Sequence, residues 1–89
     1  MKSVITVIGQ DRVGIIAALS SILADAGVNI LDISQTIMQE VFTMIMLVDI
    51  KESTLSISDL SKQLEKKGIE MNLRVQIQRV DIFNSMHKI

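Results

Sequence analysis

Val4-Ile5-Thr6-Val7-Ile8-Gly9-Gln10-Asp11-Arg12-Val13-Gly14-Ile15 is the stretch from which the fold can be read. An apolar, β-branched run passes through a short polar loop into a helical pattern. Val4 to Ile8 is short enough to be a buried strand. Beyond the loop, Ile16, Leu19, Leu23 and Ala26 recur at helical spacing. Asp11 stands where an N-cap belongs, its carboxylate ready to accept first-turn amide hydrogens. Gly9 and Gly14 keep the backbone open to close approach by a neighbouring segment or a ligand. A helix start with exposed N–H groups beside Arg12 makes a cradle for a carboxylate or a phosphate. The plainer alternative is a capped strand-to-helix connection with no other task.

Outward from this loop, glycines punctuate the chain. Gly27 follows the first helical run and Gly68 the second, each placed as the left-handed residue that closes a helix. Lys66 and Lys67 suit a helix C-terminus. The second helix opens near Ser56 or Ser58, since Ser56-Ile57-Ser58-Asp59 resembles a capping box with Asp in the Glu position. Its buried stripe is Ile57, Leu60 and Leu64, and the absence of proline leaves both helices uninterrupted.

Residues 3–8 and 41–50 are nearly continuous apolar runs, as in central strands covered on both faces. Residues 29–38 and 70–79 alternate. Met71, Leu73, Val75 and Ile77 share one side of the last run, with Glu70, Asn72, Arg74, Gln76 and Gln78 on the other. Asp32, Ser34 and Thr36 mark a polar side on 29–38. The element order β-α-β-β-α-β predicts an α+β, ferredoxin-like sandwich. Its antiparallel four-stranded sheet has spatial order 4-1-3-2, with two helices on one face. Two helices cover only one face, so the second apolar face of the central strands needs a cover. Residues 1–80 then form one domain. Residues 81–89 form a short amphipathic helical tail, with Ile82, Met86 and Ile89 on one stripe, laid on that face or on a partner.

A chain of 89 residues is near the lower limit for an independent core, yet 48% of it is hydrophobic. There is no cysteine, and the lone His87 cannot build a metal site, so no metal and no cofactor are expected. Self-association is the remaining way to add core. The first apolar run ends at Gly9-Gln10-Asp11, too short for a signal peptide or a membrane span, which points to a cytoplasmic protein without a membrane partner. A formal charge of −1 gives no field for nucleic acid, and Phe42 and Phe83 are the sole aromatics for base stacking. Met38, Met44, Met46 and Met71 read as core filler, not soft-metal ligands. Lys62, Lys66 and Lys67 read as a solvated helix face.

Asp11-Arg12-Val13-Gly14-Ile15 after an apolar strand, followed by Leu23-Ala24-Asp25-Ala26-Gly27-Val28-Asn29-Ile30, resembles the ACT domain over residues 2–79. That family is a ferredoxin-like regulatory module that commonly senses amino acids. The length, the Ser34-Gln35-Thr36 run and the Ile82-Phe83 tail are similar to small stand-alone ACT proteins of uncharacterised function. The resemblance implies an effector held between the first strand–helix loop of one subunit and the second strand of a neighbour. Here that implicates Gln10, Asp11, Arg12, Gly14 and Ile15 in the loop, with Asn29, Ile30 and Leu31 at the strand. Backbone N–H groups near Gly14 and Ile15 suit a carboxylate, while Asp11 or the Asn29 carbonyl suits an ammonium. Amino-acid-binding members often carry uncharged polar or His contacts in this loop, and Asp11 and Arg12 depart from that pattern.

The reading is a small-molecule-binding regulatory module acting as a homodimer or higher oligomer, with a metabolic enzyme as its regulated partner. No nucleophile–base pair or carboxylate dyad can be assembled for catalysis. Arg12 and Asn29 loosely echo the acylphosphatase pair, but Asp11 would repel a phosphate at that site. A ligand-free interaction or scaffold module shares the fold and the dimer and stands as the alternative.

Overall fold

A computed structural model describes residues 2–80, and the expected tail at 81–89 lies outside them. The elements are β1 (Lys2–Gln10), α1 (Ile15–Asp25), β2 (Asn29–Met38), β3 (Val41–Asp49), α2 (Ile57–Glu70) and β4 (Leu73–Arg79). The strands order β2-β3-β1-β4, all neighbours antiparallel, which is the expected ferredoxin-like arrangement.

Strand alternation sorts the apolar residues into two layers. Ile5 and Val7 of β1, Phe42, Met44, Met46 and Val48 of β3, and Leu73 and Val75 of β4 share one core with the helices. From above, α1 contributes Ile15, Leu19 and Leu23, and α2 contributes Leu60 and Leu64. The intervening Val4, Thr6 and Ile8, with Val41, Thr43, Ile45 and Leu47, point to the other side of the sheet. This is why both central runs read as continuous. On that open side Ile8 is 49% and Ile45 43% exposed.

Helix ends decide where the loops go. The first helix closes in a Schellman motif: the Gly27 amide donates to the Ala24 carbonyl at 3.1 Å and the Val28 amide to the Leu23 carbonyl at 2.9 Å. Gly27 supplies the left-handed turn, with φ 77°. The second helix opens at Ser56, whose hydroxyl accepts from the Asp59 amide at 3.1 Å.

Two expectations are corrected. Asp11 is not the N-cap of α1; Gly14 is, at φ 92° and with no side-chain capping bond. The cause is the longer first strand: β1 runs on through Gly9 and Gln10, and the Asp11 amide donates to the Glu40 carbonyl at 2.7 Å. The helix therefore begins only at Ile15, and its buried stripe is Ile15, Leu19, Leu23, leaving Ile16 38% exposed. Gly68, in turn, does not close α2. It is buried within the helix, where an added Cβ would come within 2.8 Å of the Leu73 carbonyl oxygen. The left-handed residue is Asn72, at φ 58°, and β4 starts after it at Leu73 instead of at residue 70.

Candidate functional site

Residues 11–14 carry the chain from the end of β1 onto the helix layer and leave the α1 terminus open. The Ala18 amide is bonded to the Gly14 carbonyl at 2.9 Å, so the preceding amides of Ile15, Ile16 and Ala17 are the first-turn donors that no side chain caps. Around the Gly14 Cα, a Cβ would meet nothing within 4 Å, so the backbone there faces open space. Arg12 is exposed and makes no ion pair among the described residues.

These groups edge a groove of about 300 Å³. One wall is the loop and helix start, with Arg12, Gly14 and Ile15; the other is Gln35 and Ile37 of β2 with Phe42 of β3. One end thus offers N–H donors and a guanidinium, and the body is apolar with one side-chain amide. That arrangement can hold an anionic head group and shelter a small aliphatic remainder.

Of the sequence-derived candidates, Asp11, Arg12, Gly14 and Ile15 are brought together at this groove. Gln10 lies just before it, exposed and paired with Val41. Asn29, Ile30 and Leu31 are not there. Asn29 pairs with Asp49, which in turn opposes Lys2 at the far end of β1. The length of β1 separates the two sets by about 27 Å, taking 3.3–3.4 Å per residue. Asn29 instead edges a second groove of about 430 Å³ with Gly27, Asp49, Lys51 and Glu52. There the Lys51 amide donates to the Asp49 carboxylate at 2.9 Å and holds its pKa below the usual carboxylate value. Gln35, Ile37 and Phe42 went unnoticed in the sequence. Only strand register places them beside the loop, and no local motif signals it.

A family model for the ACT domain matches residues 3–78. The chain belongs to the ACT domain family. It is 55% identical to a UPF0237 protein of Clostridium acetobutylicum over 89 residues, the whole of both chains. An ACT domain protein from Streptococcus pneumoniae is 40% identical and covers 93% of each chain, with a TM-score of 0.80. The regulatory subunit of aspartate kinase from Thermus thermophilus, in its ligand-free form, shares the fold at 22% identity and a TM-score of 0.66. That match covers 86% of this chain and 50% of the other.

In this ACT domain the outer side of the site is an unfinished edge. Leu31, Ile33 and Ile37 of β2 are 43%, 39% and 55% exposed, and Val13 of the loop is 98% exposed. Among the described residues no group of His, Cys, Asp or Glu could hold a metal ion. No helix there is long and apolar enough to cross a membrane.

Proposed function

We propose that this ACT domain is a regulatory module that binds a small carboxylate, an amino acid or a close relative, between two copies of the chain. The observation that carries the reading is the uncapped first turn of α1, opening with Arg12 onto a groove with an apolar body. Such a site favours a negative head group without needing a catalytic residue. The structural kinship with a regulatory subunit supports the regulatory role. We place the protein in the cytoplasm, acting on a metabolic enzyme and catalysing nothing itself.

The separation of the two candidate sets explains why two copies are needed. Pairing β2 with β2 of a second copy in antiparallel fashion sets the Asn29 end of one strand beside the Met38 end of the other. The start of the neighbour's strand then adjoins the loop at 10–15. This pairing also covers the exposed side chains of Ile33 and Ile37 and satisfies the edge backbone.

Thermal-shift measurements against the proteinogenic amino acids and their 2-oxo acids test the reading. A true ligand at a hundredfold its dissociation constant adds about 2.7 kcal/mol of stability. Arg12→Ala weakens binding at least tenfold while leaving the fold intact, because an exposed arginine contributes little to stability. Asn29→Ala weakens it through the neighbouring copy. Unchanged affinity in both variants would rule out this site, and no shift with any compound would favour the ligand-free scaffold.

A further inference from the structure

We propose that residues 81–89 fold back across the open face of their own sheet as a short helix and cover the row at Val4, leaving the far end of that face uncovered. The inference rests neither on the ligand groove nor on the β2 pairing.

The open face is not uniform. The registers place Gln78, Val4, Leu47 and Asp32 in one row across the sheet, with Ile45 in the next row and Ile8 in the third. Val4 is 7% exposed, against 43% for Ile45 and 49% for Ile8. All three are β-branched residues of central strands, flanked on both sides by paired strands, so the sheet itself shields them alike. The difference requires something lying over the first row. Among the described residues the helices are the elements off the sheet, and both pack on the opposite side. Val4 does not belong to the core cluster that Ile5 and Val7 share with them. Its burial is present in a single copy of the chain, so the cover is not a partner.

The outline of the cover can be read from the neighbours. Burial fades across the row, from Val4 through half-buried Gln78 and Leu47 to exposed Asp32. It fades along β4 as well, where Gln76 and Arg74 are exposed. Such a cover crosses β4, β1 and β3 at one end of the sheet and does not follow any strand.

The chain supplies a segment at that corner. β4 ends at Arg79, next to Gln78, and at Val80 the backbone is already helical and the residue half-buried. Gln78 itself has an interaction partner. Continued as a helix, the nine residues that follow extend about 14 Å. From β4 to β3 is two strand spacings, about 10 Å. The segment thus reaches over Val4 to Leu47 and stops short of β2, in keeping with the exposure of Asp32. Helical spacing puts Ile82, Met86 and Ile89 on one stripe, an apolar underside for Val4 and Leu47. Asn84, His87 and Lys88 then fall on the opposite, solvent side.

The chain has no cysteine, so single cysteines placed in the full-length protein report accessibility through their rate of reaction with an aromatic disulfide reagent. Val4→Cys is expected to react roughly tenfold or more slowly than Ile8→Cys, because a covered thiol is inert. Adding Ile82→Glu and Met86→Glu brings its rate up to that of Ile8→Cys, and the milder Met86→Ala raises it part of the way. Met44→Cys, in the core under the helices, stays protected in the same backgrounds, which excludes unfolding as the cause. Equal rates at Val4→Cys and Ile8→Cys in the unaltered tail would overturn the proposal. So would protection of Val4→Cys that neither tail change relieves. Protection regained when the tail-altered Val4→Cys chain is mixed with excess wild type would show that the tail comes from a neighbouring copy, which also overturns it.

Discussion

The sheet has two edge strands, and they are finished in different ways. β4 is seven residues long, carries Arg74 and Arg79, and buries Leu73 and Val75 under α2. β2 is ten residues long, carries only Asp32, and is exposed along its length except at half-buried Ile30. Edge strands are ordinarily kept from pairing by shortness, charge or an overlying helix. β4 has all three, and β2 has a bulge near its start and a single carboxylate. The closer cover over β4 depends on Gly68, which lets α2 approach the Leu73 backbone. Position in a sheet therefore does not determine an edge's fate; the helix packed over it does.

Substitutions on the two sides sharpen or break this contrast. The largest effect is expected for Leu64→Ala, which empties fully buried space under α2 and costs about 2–5 kcal/mol in urea unfolding. The matching truncation Ile33→Ala on β2 removes a side chain already 39% exposed, so dissociation should change more than chain stability does. Equal losses at both positions would show that β2 is as well covered as β4. Next comes Gly68→Ala, expected to cost about 1–3 kcal/mol because its methyl group meets backbone that cannot easily yield. On the β2 side Gly14→Ala has open space and costs only the left-handed backbone, about 1–2 kcal/mol. Smallest is the pair of helix starts. Ser56→Ala removes a real cap from α2 for about 1 kcal/mol. Asp11→Ala leaves the unfolding free energy within about 0.5 kcal/mol of wild type in urea unfolding, as for an ordinary surface change.

The strand order was legible because the four apolar patterns differ in kind: two continuous and two alternating. Ser56 was legible because its cap is local, three residues from the amide it serves. Asp11 misled for the opposite reason. Its type and position fit a cap, but its amide is committed to Glu40, a hairpin residue far along the sequence. Gly68 misled because a glycine after two lysines looks like a helix end, while its use is steric and set by Leu73 and Val75. Gln35, Ile37 and Phe42 were invisible as site residues, because only pairing across β2 and β3 brings them to the loop. The candidates at 29–31 came only with the resemblance, which assigns them to the second strand of a neighbouring copy; within one chain the length of β1, about 27 Å, lies between them and the loop.

The register of β2 against β3 skips between Ile30 and Asp32, leaving Leu31 as an extra residue in the ladder. Without the skip, the residues before Leu31 would present the opposite side of the strand to the helices, because a one-residue change of register exchanges the faces. With it, Asn29 and Ile30 keep their partners Asp49 and Val48 while the ladder from Asp32 onward takes up a register shifted by one residue. Ile33, Gln35 and Ile37 thereby face the helices opposite Met46, Met44 and Phe42. In the proposed pairing, the side chains that β2 brings to the seam are then fixed by the ladder beyond the bulge and not by its first residues.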